Sequence, residues 1–222
     1  MSTVMNVVTD VVLTAQCGVA WNRLHAGGSI GRTWSRFFAS MAGAGAAGAV
    51  RHAIHDETGL RVAALLGMNA TLAAAVIAAQ RATLEWRPPR EHASLTRAFD
   101  VLLGSFAASA LWRLDFTPAF AYATLAFAWI LVAATAAARK ERPGAREIAR
   151  GLLLACVAAL VYAARVTPAE WFDHVDLAHS ILIGSLGLLY RGAIRAAEAS
   201  PRFVQEHASS EVVLNTEGGR VS

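Results

Sequence analysis

Apolar residues run through this chain in long blocks, broken by short polar connectors, and the blocks predict helices long enough to cross a bilayer. A helix needs about 20 apolar residues to span roughly 30 Å of hydrocarbon. Val62–Gln80 and Phe116–Ala138 contain no charged residue. Val4–Asn22, Trp34–His55, Leu95–Trp112, Ile148–Val166 and His174–Ala197 are apolar with a few polar interruptions. The connectors hold Gly, Pro and Arg, as in His25-Ala26-Gly27-Gly28, Trp86-Arg87-Pro88-Pro89-Arg90 and Glu141-Arg142-Pro143-Gly144. The pattern predicts an all-α fold, a bundle of seven transmembrane helices over residues 1–199. A polar tail without apolar periodicity follows over 200–222.

Composition sharpens this. Only 16% of residues are charged while 55% are hydrophobic, against about 25% charged in an ordinary soluble domain. That excludes a disordered chain, which needs many charges and few apolar residues. An amphipathic soluble bundle would carry its charges as a stripe along each helix, whereas here they cluster between the apolar blocks. The two cysteines, Cys17 and Cys156, are too few for a disulfide framework.

Charge then sets orientation. Of the 20 Lys and Arg residues, sixteen lie in the first, third and fifth connectors and the tail, and four (Arg51, Arg61, Arg113, Arg165) lie in the others. The positive-inside rule places the N-terminus outside and the C-terminus in the cytoplasm. The first block follows a start without Lys or Arg and is read as a helix rather than a cleaved signal peptide. Nineteen arginines against one lysine suggest a bacterial protein of the inner (cell) membrane. The net charge of +4 is accounted for by topology and gives no support to nucleic-acid binding. Trp21, Trp34, Trp86, Trp112 and Trp171 fall near helix ends, as an aromatic belt would.

Ionisable groups inside a membrane are costly and mark functional sites. With this orientation Asp10, His52, His55, Asp56, Asp176 and His179 all lie toward the outer face. His52, His55 and Asp56 share one face of the second helix, and Asp176 and His179 share one face of the seventh, since residues three or four apart are neighbours on a helix. His174 is five positions from His179 and points elsewhere. Imidazoles and carboxylates together can hold zinc with one position open to water. His52, His55, Asp176 and His179 are the candidate metal ligands, and Asp10 and Asp56 the candidate proton acceptors. The target expected in this setting is a membrane lipid, cleaved at an amide or ester. The alternative is a non-enzymatic lipid-binding receptor or pH sensor using the same pocket. Haem held between His52 and His179 is a third option. Lys140 lies in a connector and the seventh helix has no lysine, which excludes a retinal Schiff base there. A monomer suffices for seven helices, and the sequence leaves the oligomeric state open.

Seven helices with N-out topology, His52 near the end of the second and His179 on the seventh, resemble the CREST superfamily, which includes alkaline ceramidases and the progestin and adipoQ receptors. The likeness spans nearly the whole chain in architecture and few residues in motif. It implies zinc held by histidines and hydrolysis of a lipid amide. Gly48 and Val175 stand four residues before His52 and His179, where members of that group carry Ser and His. His55 or Asp176 would therefore complete the ligand set.

Overall fold

In the computed structural model, residues 2–54, 59–113 and 117–199 are described. They form seven α-helices: α1 (Ser2–His25), α2 (Ser29–Ala53), α3 (Gly59–Leu84), α4 (Pro89–Arg113), α5 (Thr117–Arg139), α6 (Ala145–Ala163) and α7 (His174–Glu198). Each expected apolar block lies within or nearly within one helix. The helices extend beyond the apolar blocks because flanking polar residues are good helix formers or caps. Among the described residues there is no strand, only an isolated bridge between Ala169 and Phe172. Val4–His25, Gly59–Leu84, Thr117–Arg139 and His174–Glu198 are long and apolar enough to cross a membrane.

Small residues set how closely the helices approach. A Cβ on Gly45 would lie 2.6 Å from Thr14 Oγ1 and 3.2 Å from the Asp10 carbonyl oxygen, and one on Gly43 would lie 3.0 Å from the Thr71 methyl. The Gly- and Ala-rich middle of α2 thus seats α1 on one side and α3 on the other, the close approach that small residues allow. Between α6 and α7, Ser185 donates to the Gly151 carbonyl at 2.7 Å, and Arg195 pairs with Glu147. Gly144 turns the chain into α6 at φ 76°. A side chain there would be strained and would overlap the Gly192 carbonyl.

The core lies toward one end. Leu13, Cys17, Ala20 and Leu24 of α1 meet Trp34, Phe37, Phe38 and Met41 of α2, Ile148 and Leu152 of α6, and Leu186, Leu189 and Ala193 of α7. Rings stack edge to face from Trp34 through Phe37 and Phe38 to Tyr190. Trp34, expected in an interfacial belt, is 1% exposed and belongs to this core. Its place near a helix end did not reveal that α2 turns that face inward. Trp21, Trp112 and Trp171 are exposed as the belt requires.

α4 is the outlier. Of its residues only Ala110 is buried, and it touches α3 and α5 alone. A cavity of about 300 Å³ between these three helices is lined by Leu66, Asn69, Leu103, Phe106, Ala119 and Tyr122, among others. Tyr122, near the start of α5, donates to Gln80, near the end of α3, at 3.3 Å. The α4–α5 pair is therefore staggered along α3, and the cavity lies within that stagger.

Candidate functional site

At the end of the bundle opposite the aromatic core, three helices bring polar side chains together. α1 supplies Asn6, Thr9 and Asp10 from one turn. α2 supplies His52 from its last turn, and α7 supplies Asp176 and His179 from its first two turns. Asp10 is 4% exposed. Its Oδ1 lies 3.4 Å from His179 Nδ1, and its Oδ2 lies 3.9 Å from His52 Nε2. One carboxylate therefore stands between two imidazoles from helices distant in sequence.

Gly48 makes this possible. A Cβ there would lie 2.9 Å from Asp10 Oδ2 and 3.2 Å from its Cγ. The residue four before His52 is thus the space that the Asp10 carboxylate fills, one helical turn from the histidine it faces.

Thr9 fixes His179 from the other side. Its hydroxyl lies 3.1 Å from His179 Nδ1 and donates to the Asn6 carbonyl at 3.1 Å. With that hydroxyl proton directed to Asn6, Thr9 Oγ1 is an acceptor toward His179. A proton on Nδ1 then serves Thr9 or Asp10, which leaves Nε2 as the ring's free nitrogen. Thr9 and Asn6 were not singled out by the sequence reading. The available signal was local: they stand one and four residues before Asp10 in an otherwise apolar run, and Asn6 shares its helix face.

Asp176 has two roles. Its Oδ2 accepts from the Asp173 backbone N–H at 3.1 Å, and Asp173 Oδ1 accepts from the N–H groups of Val175 and Asp176. This reciprocal capping box closes the start of α7. The other oxygen, Oδ1, is buried and has no hydrogen-bond partner among the described residues. The same holds for Asp10 Oδ2 and Asn6 Oδ1. Buried acceptors without donors are costly in a finished core and are expected where a ligand supplies the missing partner.

The structure brings together Asp10, His52 and His179, with Asp176 beside them. His55 and Asp56 lie outside the described residues. His174 turns away, its ring 5.7 Å from that of Tyr162, as its five-residue spacing from His179 predicts. Among the described residues no three His, Cys, Asp or Glu side chains form a ready metal-binding group. The donors suit a divalent ion in kind, being imidazole nitrogen and carboxylate oxygen. As placed, however, the two histidines face opposite oxygens of Asp10 rather than a common point. Cys17 and Cys156 are free thiols, and Cys17, two turns from Asp10 on α1, is buried in the apolar core.

Compared with known proteins, residues 5–198 match the sequence model of a family described as being of unknown function (DUF6962). No curated protein and no solved structure matches the chain.

Proposed function

We propose that this chain, which belongs to the family of unknown function DUF6962, is a seven-span membrane protein that hydrolyses a lipid amide or ester at the Asp10–His52–His179 site. The directions of neighbouring helices support the seven-span topology. α1 and α7 are candidate spans, and they run the same way, since Thr9 meets His179 and Gln16 meets the Ile183 carbonyl. α3 and α5, also candidate spans, run the same way, since Tyr122 meets Gln80 and, seven residues further along each, Trp129 meets Arg87 just past the end of α3. When two parallel spans follow one another in sequence, the helix between them must carry the chain back across the bilayer. α2 runs antiparallel to α1, with Gly48 against Asp10 and Ser35 bonded to the Trp21 carbonyl, and α6 antiparallel to α7, with Ser185 bonded to the Gly151 carbonyl and Arg195 paired with Glu147, which supports α2, α4 and α6 as those returns. The arginine distribution then sets the N-terminus outside, with the bacterial inner membrane as the location.

The observation that carries the chemistry is the buried Asp10 carboxylate flanked by two imidazoles from α2 and α7. Amide or ester hydrolysis needs one group to take a proton from water and another to return it to the leaving group. Asp10 is placed for the first role. His52, at the more open edge of the site, is placed for the second. Thr9 and Asp10 hold His179 in one orientation. If a divalent ion is bound, His52 and His179 would hold it, with Asp176 Oδ1 and His55 as further donors, and Asp10 would then both take the proton from water and return it to the leaving group. Such an ion, zinc by this donor set, supplies Lewis acidity toward water and the substrate carbonyl. The resemblance to the ceramidase-containing superfamily supports the lipid amide as substrate class.

A second reading has its own support: the histidines converge on one carboxylate and not on a common point. Such paired charges tie α1 to α2 and α7 with a strength that follows histidine protonation, as a lipid-binding receptor or pH sensor requires.

Purified protein in lipid distinguishes the readings. The hydrolase reading expects one zinc per chain, release of fatty acid from a lipid amide or ester, and loss of both in His179→Ala. Protein that holds no metal and releases no fatty acid, yet binds lipid in a pH-dependent way, rejects the hydrolase and favours the sensor.

A further inference from the structure

α4 crosses the bilayer by the argument from parallel neighbours, yet its outward face does not suit lipid. The helix has 25 residues, about 37 Å at 1.5 Å per residue. Asp100 sits at its midpoint and is exposed, as is Arg97 one turn before it. Val101, Gly104, Ser105, Ala108 and Trp112 continue the same exposed face. Val101 is 70% and Trp112 90% exposed. No described residue beyond the helix's own backbone comes within 4 Å of where a Gly104 Cβ would sit. A carboxylate on the lipid-facing side at mid-bilayer costs several kcal/mol, and such groups normally face protein. Asp100 and Arg97 form no ion pair with each other, and the neighbours of α4 pack on its Leu102, Leu103 and Phe106 side.

We propose that this face of α4 docks against the same face of a second copy of the chain. The charges select that occupant. Arg97 and Asp100 are one of each sign, one turn apart, so a two-fold axis along the membrane normal lets each copy's arginine reach the other's aspartate. A two-fold contact uses the same patch on both subunits, which this self-complementary pair satisfies. Gly104, Ser105 and Ala108 form the small surface that lets two helices approach closely enough to shield the charges from lipid. Ser105 leaves that contact free of an unpaired hydroxyl, because it donates to its own helix at the Val101 carbonyl, 2.9 Å. The inference uses the seven-span topology and does not depend on the chemistry of the Asp10 site.

The test is oxidative cross-linking of the full chain in its membrane, in a Cys156→Ala background, with Cys17 left in place because it is buried. Gly104→Cys and Ala108→Cys should give a covalent dimer of this chain. Val132→Cys, exposed on α5, should not. Arg97→Asp or Asp100→Arg alone should lower the dimer yield at least fivefold, and the two together should restore it. Two differently tagged wild-type copies, which need no α4 substitution, should co-purify from one membrane. Absence of co-purification, equal cross-linking at Val132→Cys, a product joined to a different protein, or no recovery in the double reversal overturns the proposal.

Discussion

The two ends of the bundle are built on opposite principles from the same three helices. At one end α1, α2 and α7 interlock through Leu24, Trp34, Phe37, Phe38, Leu186 and Leu189, all nearly fully buried. At the other end they enclose Asn6, Asp10 and Asp176, equally buried, with oxygens that lack hydrogen-bond donors among the described residues. The first end gains stability from dispersion and close packing. The second bears the desolvation of polar groups and gains little from it. A domain can keep such a site only because the helices that carry it are anchored elsewhere. Unsatisfied polar residues and stabilising residues are thus separated along each helix rather than between helices.

Four substitutions sharpen this contrast. Phe38→Ala, in the aromatic chain of the packed end, should destabilise by about 3–5 kcal/mol, read as a large drop in the thermal unfolding midpoint in detergent. A loss as small as that of a surface change would place the anchor elsewhere. Gly48→Val should cost about 1–3 kcal/mol by overpacking against Asp10. It should also push α1 from α2, which a distance label between those helices at the polar end would detect, while a label pair at Trp21 and Arg32 stays unmoved. Ser185→Ala, which removes the hydroxyl bond that ties α7 to the Gly151 carbonyl of α6, should cost about 1 kcal/mol by the same unfolding measurement and leave zinc content and fatty-acid release intact. Asp10→Asn should change stability by less than about 0.5 kcal/mol, or raise it, because it removes a buried charge rather than a packing contact. Fatty-acid release should nevertheless fall to background. If Asp10→Asn unfolds the chain instead, the polar end is structural and the division between the two ends fails.

Much of the architecture was legible without coordinates. Each of the seven apolar blocks falls on a helix, and four of these helices are long and apolar enough to cross a membrane, where a helix satisfies its own backbone polar groups. The convergence of Asp10, His52 and His179 was legible too, since an ionisable residue in such a run is rare enough to stand out. Three features were not. Trp34 looked like a belt residue, because position near a helix end does not say which way the side chain faces. Thr9 and Asn6 were overlooked because hydroxyl and amide groups are tolerated in apolar helices, and only the distance to His179 gives Thr9 a role. Gly48 read as a missing serine, whereas its lack of a side chain is what admits the Asp10 carboxylate.

The sequence alone determined how many helices form, where along the chain the middle of each lies, and which ionisable groups lie toward a common end, because each of these depends on local hydrophobicity and on the order of residues along the chain. Which oxygen of Asp10 faces which histidine, that Asp176 doubles as a helix cap, and that α4 stands apart with a charged face outward were decided only by tertiary structure. Those facts depend on the rotation of each helix about its own axis. Packing against neighbours sets that rotation, and the neighbours are distant in the chain.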